Sequence, residues 1–272
     1  MVMDKRVCAM ESNATDGKTI QSIETAFAII EHIAETDRPS VSEIAAEVGC
    51  SRSTAHYHLK TLQQNRYVIR DTEGLRLGLR VARLGDLALR ESDLHGIIEK
   101  NADDLAAETD AIAHVAVKEG EKMVWVYRSS DGKITDLQTE VGRETYVHCT
   151  AYGQAILAYM PEERVNALIE RFGLPAITDQ TITEADDLEE QLEVIREIGF
   201  AYSVGGFHRE MSSIAAPIFD TTGTVVGTIG ITNASKHINN PYKHAKARRF
   251  SDELPSHVQK AARIASDNLA DL

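Results

Sequence analysis

The sequence predicts an α+β protein: an N-terminal winged helix-turn-helix joined by a linker helix to a larger α/β domain. Three observations predict it. Two short amphipathic helices meet at Gly49-Cys50, and a strand-turn-strand pattern follows the second at once. Beyond residue 97, helical and strand-like patterns alternate, with a mixed or antiparallel sheet expected. The charge also changes along the chain. Residues 1–90 hold 12 basic and 12 acidic side chains, whereas 91–272 hold 17 and 30, the source of the whole net −13. A chain of 272 residues has room for two such parts, each with its own core.

Residues 1–18 are polar and patternless and read as a flexible tail. From Thr19, apolar residues recur at helical spacing as Ile20, Ile23, Phe27, Ile30 and Ile33-Ala34, and Asp37-Arg38-Pro39 ends the run. Ser40-Val41-Ser42-Glu43 is a capping box: the hydroxyl accepts an orphan helix N–H while the carboxylate reaches back. Val41, Ile44, Ala45 and Val48 line one face of that helix, and Gly49 stops it. Ser51 caps a third helix running to about Gln64, with Ala55, Leu59 and Leu62 inward. Tyr67-Val68-Ile69-Arg70, the turn Asp71-Thr72-Glu73-Gly74 and Leu75-Arg76-Leu77 make the wing. Leu79, Val81-Ala82, Leu84 and Leu87-Ala88 continue as an amphipathic linker helix.

In the remainder, 97–108 is helical, and 111–118 and 123–128 are strands about the turn Glu119-Gly120-Glu121. Thr150 caps a helix over 151–159. Pro161-Glu162-Glu163 opens the next with proline at its first position and acids favoured by the helix dipole, and Gly173 ends it. Thr183 caps a helix that stops at Gly199. Residues 213–219 and 224–232 are strands, and a last helix is interrupted at Pro255.

Composition narrows the function. At 43% hydrophobic and 26% charged the chain is globular, and no apolar run approaches the roughly 20 residues a membrane helix needs. Cys8, Cys50 and Cys149 are odd in number and scattered, which fits neither a disulfide framework nor a zinc ribbon, so a reducing cytoplasm is expected. G-x-S-x-G, P-loop and H-E-x-x-H patterns are missing, so no catalytic residue, metal or cofactor is expected. Gly223, Gly227 and Gly230 lie in a strand pattern, where glycine marks close sheet packing. His148 and Cys149 adjoin a helix start and, with His114 or His208, offer an alternative thiol or metal site. Within the acidic whole, residues 51–90 carry eight basic and three acidic side chains, a local +5 that can attract phosphates across a screened distance.

The run Ser42-Glu43-Ile44-Ala45-x-x-Val48-Gly49-x-Ser51-Arg52-Ser53-Thr54-Ala55-His56 resembles the helix-turn-helix of IclR-type transcriptional regulators. So do Tyr67-Val68 before a hairpin ending Leu75-Arg76-Leu77-Gly78, His148-Cys149-Thr150-Ala151-x-Gly153-x-Ala155-x-Leu157-Ala158, Thr181-Ile182-Thr183, Gly199-Phe200-Ala201 and Ala215-Ala216-Pro217. The resemblance spans about 19–265. It implies a winged helix-turn-helix joined by a linker helix to a GAF-like α/β effector-binding domain. The expected boundaries are a 1–18 tail, 19–78 for DNA binding, 79–96 as linker, 97–265 for effector binding and a 266–272 tail. It further implies double-stranded operator DNA, a small-molecule effector and a second copy of the chain, as homodimer or homotetramer, for partners. Activator and repressor remain open.

A recognition helix enters the major groove with its N-terminal residues on base edges. Ser51, Arg52, Ser53, Thr54, His56, Tyr57 and Lys60 are the candidates there, with Arg70 and Arg76 in the wing. Arg52 can fork onto guanine or hold a phosphate, and Ser53 and Thr54 suit phosphates. In the second domain, the start of the helix capped by Thr150 offers the N–H groups of Ala151, Tyr152 and Gly153 to a carboxylate. Positions implied by the resemblance add Ile134, Leu137, Ser203, Met211, Ser213 and Thr232. His208 and Arg209 read as a solvated loop, with pairing to an anion as the alternative. The expected function is an operator-binding regulator modulated by a carboxylic acid or related metabolite. The alternative is a thiol-responsive regulator using Cys149.

Overall fold

The computed structural model describes residues 18–90, 96, 98–129, 139–234 and 253–271. The chain divides at 91/92 into two compact units.

The first unit holds α1 (Gln21–Glu35), α2 (Val41–Glu47), α3 (Arg52–Gln64), the antiparallel pair β1 (Val68–Arg70) and β2 (Leu75–Leu77), and α4 (Arg80–Arg90). Local chemistry sets the helix starts. The Ser40 hydroxyl accepts from the Glu43 amide at 3.3 Å while the Glu43 carboxylate accepts from the Ser40 amide at 2.7 Å. Gly49 turns the chain at φ 71°, in the left-handed region that costs glycine nothing. Ile29, Ile33, Ile44, Leu59, Leu62, Val68 and Leu75 form one core. The expected α1 stripe is corrected here: Ile29 and Ile33 face that core, whereas Ile20, Ile23 and Phe27 stay exposed. Ile30 and Ile33 of the expected run do pack inward, and Ile29, which lay off it, is the core residue it missed, because apolar residues fall on both faces of α1. No residue of α4 is buried, and Leu79, Leu84 and Leu87 are exposed.

In the second unit, a six-stranded antiparallel sheet has the order β5-β4-β3-β8-β7-β6. Its strands are β3 (Ile112–Glu119), β4 (Lys122–Ser129), β5 (Glu144–Thr145), β6 (Ala201–Val204), β7 (Met211–Phe219) and β8 (Val225–Ala234). Helices α5 (Ile98–Thr109), α6 (Ala151–Leu157), α7 (Glu162–Phe172), α8 (Ala185–Ile198) and α9 (Glu253–Ala270) complete it. Every residue of α6 is buried, and Trp125, Tyr152, Ile156, Leu157, Leu188 and Ile195 sit in the main core around it. Gly230 confirms the close-packing reading: a Cβ there would stand 2.2 Å from the Ile214 carbonyl oxygen.

Three expectations need correction. Helix α8 begins after Glu184 with no side-chain cap, so Thr183 does not cap it. Pro255 does not interrupt the last helix, because it falls in the first turn of α9, where its missing N–H costs no hydrogen bond. Nor does a tail start at 266: α9 runs to Ala270, and the Ser266 hydroxyl accepts from the Phe219 amide at 3.0 Å. Strands β5 and β6, of two and four residues, escaped the sequence reading.

Candidate functional site

The first site is the outer face of α3. Ala55, Leu59 and Leu62 are buried, which turns Arg52, Ser53, His56, Tyr57 and Lys60 outward. Tyr57 is 70% exposed, its ring edge-on to His56 at 6.2 Å. The Ser51 hydroxyl accepts from the Thr54 amide at 3.1 Å and meets the hydroxyls of Ser53 and Thr54 at 2.9 and 2.8 Å. Four hydroxyl and amide groups thus gather at one helix start, beside the exposed Arg52. His58 is half-buried.

Both wing arginines are present, and their settings differ. Arg70 is exposed at the end of β1. Arg76 is engaged inside the wing: its Nε donates to Asp71 at 3.0 Å and its Nη1 to the Leu77 carbonyl at 3.1 Å. The sequence reading missed Arg38 and Asp71, which lock the wing turn. Arg80 was missed as well; it donates to the Asn65 carbonyl at 2.9 Å and lies over the Tyr67 ring.

The second site is a cavity of about 30 Å³ in the larger unit. Of the candidate effector residues, Thr150, Tyr152, Ser203, Met211, Ser213 and Thr232 line it. Ile134 and Leu137 lie outside the described residues. Ala151 and Gly153 are buried but do not line the cavity. The Gly153 amide is taken by the Thr150 hydroxyl at 3.0 Å, and a Cβ at Gly153 would collide with the Val147 carbonyl at 2.0 Å. The expected row of three free N–H groups is therefore not what the cavity presents. His208 also departs from expectation: it lines the cavity with Phe207 and Gly206, while Arg209 stays exposed and pairs with Asp179 at 3.4 Å. Trp125, Thr139 and Cys149 complete the lining. A buried tryptophan in a strand pattern reads as core, so nothing in the sequence marked Trp125.

Polar groups run through this region as a chain. Ser213 Oγ lies 2.9 Å from Thr232 Oγ1, which lies 3.3 Å from the Tyr152 hydroxyl. That hydroxyl is 3.3 Å from His114 Nδ1, and His114 Nε2 is 2.9 Å from Thr139 Oγ1. Burial, and secondarily the charge of Arg128, depress the His114 pKa to about 3, so the ring is neutral. Burial pushes the Tyr152 phenol far above its ordinary value, against a smaller opposing effect of its Thr232 contact. The loop bearing Phe207 and His208 is strapped from outside: Thr178 and Thr181 donate to the carbonyls of Gly205 and Gly206 at 2.6 and 2.7 Å.

The alternative thiol and metal reading is not favoured by this geometry. Cys149 is 1% exposed and its thiol donates to the Tyr146 carbonyl at 3.2 Å. His148 meets the Pro175 carbonyl at 3.1 Å, and burial lowers its pKa. Among the described residues no three metal-ligating side chains cluster. Lys243, Lys246, Arg248 and Arg249 lie outside the described residues.

Comparison with known proteins finds a family match for each unit. The model of the IclR helix-turn-helix domain matches residues 22–72, and that of the bacterial transcriptional regulator IclR C-terminal region matches 87–263. The glycerol operon regulatory protein of Streptomyces coelicolor is 33% identical over 258 residues, covering 93% of this chain and 97% of that one. Among solved structures, the Thermotoga maritima IclR superposes with a TM-score of 0.76 at 23% identity, over 92% of this chain and 99% of that one. An IclR homolog from Microbacterium hydrocarbonoxydans complexed with 4-hydroxybenzoate gives 0.74 at 19% identity, over 91% and 98%. An α+β architecture, a helix-turn-helix followed by a hairpin, and matches across both units lead to one conclusion: the chain belongs to the IclR family of HTH-type transcriptional regulators, which are not enzymes.

Proposed function

We propose that the first unit grips operator DNA through the outer face of α3 and the wing, and that the cavity of the second unit receives the small molecule that modulates this grip. The observation that carries the first half is the two-faced α3, apolar residues inward and Arg52, Ser53, His56, Tyr57 and Lys60 outward. Arg52 and Lys60 supply charge to phosphates or guanine, the Ser51–Thr54 hydroxyl cluster suits a phosphate, and His56 and Tyr57 reach base edges. Arg70 is the free wing cation, and Arg76 adds what its internal bonds leave over. On this reading 19–78 binds DNA, 79–96 links, and 97–270 binds the effector.

The effector reading is supported by the cavity and by the neighbour complexed with 4-hydroxybenzoate. An effector that binds one of two states of the regulator better shifts the population toward that state, by no more than its differential affinity. Two winged units in one assembly fix a half-site spacing, so such a shift changes which operators fit. The second copy this requires is supported by Ile20, Ile23 and Phe27 of the α1 region and Leu84 and Leu87 of α4, large apolar side chains left exposed on two helices. We read the assembly as a homodimer or a pair of homodimers. No described helix is long and apolar enough to cross a membrane.

The test is selection of bound sequences from randomised duplexes by the full chain, followed by gel shift with and without candidate effectors. A half-site repeat is expected, and enrichment of nothing at any ionic strength overturns the reading. Thr150→Val and Tyr152→Trp should blunt the response to a true effector, and a response they leave intact places the effector elsewhere.

A further inference from the structure

We infer that the effector cavity takes a small neutral polyol of three or four carbons, recognised by hydroxyl pairing rather than by charge; this rests on reading that cavity as the effector site. None of its described lining residues is Asp, Glu, Lys or Arg. Its polar side-chain atoms are hydroxyls, a thiol, an indole and an imidazole, which between them both donate and accept. The chain Ser213–Thr232–Tyr152–His114–Thr139 can run its protons in either direction, because hydroxyls donate and accept alike. A ligand that both donates and accepts completes such a chain at either sense, whereas a carboxylate accepts only.

Two lining residues also carry groups left over. Trp125 Nε1 and His208 Nδ1 are buried and have no partner among the described residues. A buried polar atom without a partner is uncommon and points to something absent from the protein alone. Trp125 is 2% exposed, and its N–H can only donate, so it asks for an oxygen. His208 Nδ1 takes a donor or an acceptor according to its tautomer. Adjacent hydroxyls on one short carbon chain serve both. Among the described lining residues a carboxylate would be stripped of water without an Arg or Lys to meet it, and that desolvation is costly without a counter-charge. His114 supplies none, being held neutral, and Arg128, its cross-strand neighbour, does not line the cavity. Size points the same way. A free volume near 30 Å³ is far below the roughly 300–1,000 Å³ of pockets for drug-sized ligands.

The experiment is calorimetric titration of the full-length protein with glycerol and erythritol against glycerate, which is glycerol with one carbinol replaced by a carboxylate. Saturable polyol binding is expected, with glycerate at least tenfold weaker. Trp125→Phe keeps the ring and removes the N–H, and should weaken polyol binding about tenfold. Ser213→Ala, a smaller change at one end of the hydroxyl chain, should weaken it severalfold. Generic stabilisation by polyol as a cosolvent would not respond to either substitution. Three outcomes overturn the inference: no saturable polyol binding, polyol binding indifferent to both substitutions, or glycerate binding as tightly as glycerol. A carboxylate that binds tightly and is lost in Thr150→Val removes the polyol and leaves the effector site standing. An effector response untouched by Thr150→Val and Tyr152→Trp removes the site itself.

Discussion

Arg38 Nη1 donates to both oxygens of the Asp71 carboxylate, at 2.7 and 2.5 Å, across 33 residues of chain. Arg76 Nε joins at 3.0 Å, and the amides of Glu73 and Gly74 at 3.1 and 3.3 Å. One carboxylate therefore collects two cations and two turn amides, and Arg38, first among them, holds its pKa well below the usual range. The contact pins the wing turn to the segment between α1 and α2. Gly74 completes the fit at φ 146°, since a Cβ would meet Arg38 at 3.0 Å.

Removing that carboxylate sets two effects against each other. Asp71→Asn deletes a negative charge from the face proposed for DNA, which raises non-specific attraction. It also frees the wing from Arg38 and releases Arg76 toward phosphates. Specific recognition needs the wing in place, so we expect operator affinity to fall about three- to tenfold. The salt dependence should steepen by roughly one counterion as Arg76 becomes available. Gel shifts of operator and random duplex over a range of salt separate the two. A gain in operator affinity with an unchanged slope would show that the clamp does not serve binding.

Arg52→Ala gives the opposite salt signature. The side chain is exposed beside the hydroxyl cluster at the start of α3, where a phosphate or a guanine is the expected partner. Operator binding should weaken, and the slope of log affinity against log salt should flatten by about one. Loss of affinity with the slope intact would assign Arg52 to a base edge instead, with relaxed specificity at one position as its mark.

Much of the DNA-binding unit was legible because its determinants are local. Ser40 and Glu43 face each other over three residues, Ser51 caps its own helix, and the wing is a two-strand hairpin. The cavity proposed for the effector is built differently. Thr139, Tyr152, Ser213 and Thr232 come from distant parts of the chain and meet only once β3, β7 and β8 pair, so no spacing rule finds them. Trp125 was hidden for another reason: on a strand with this burial it looks like core until the sheet shows what it faces. Strand β5 spans two residues and carries no periodicity to read.

The outer stripe of α1 yields a third prediction. Phe27 is 59% exposed and Leu84 of α4 is 47% exposed. Helices of this kind cover such residues by packing on another surface, which here is proposed to be a second copy. Phe27→Asp combined with Leu84→Asp should shift the protein toward monomer in sedimentation and cut operator affinity at least tenfold, since one half-site binds far less tightly than two. Helical content should hold, because neither side chain belongs to the core of Ile29, Ile33 and Ile44. An unchanged sedimentation coefficient would move the interface to the larger unit.

His114 supplies a test that needs no ligand. Its ring is fully buried, with Nδ1 on the Tyr152 hydroxyl and Nε2 on Thr139. Burial first, and Arg128 second, lower its pKa to about 3 from 6.5. The folded state therefore refuses a proton that the unfolded chain accepts below pH 6.5. Stability from this group is complete above that value and is lost as pH falls from 6.5 toward 3. Between pH 7.5 and pH 5 the loss amounts to about 2 kcal/mol, at up to about 1.4 kcal/mol per pH unit. His114→Gln keeps a donor and an acceptor without titrating. It should be less stable at pH 7.5, because the bonds to Tyr152 and Thr139 cannot both keep their geometry, yet lose less on acidification. Urea unfolding of both proteins at the two pH values measures this. Equal losses would mean that the ring takes up its proton in the folded state, against the depression that burial imposes on it.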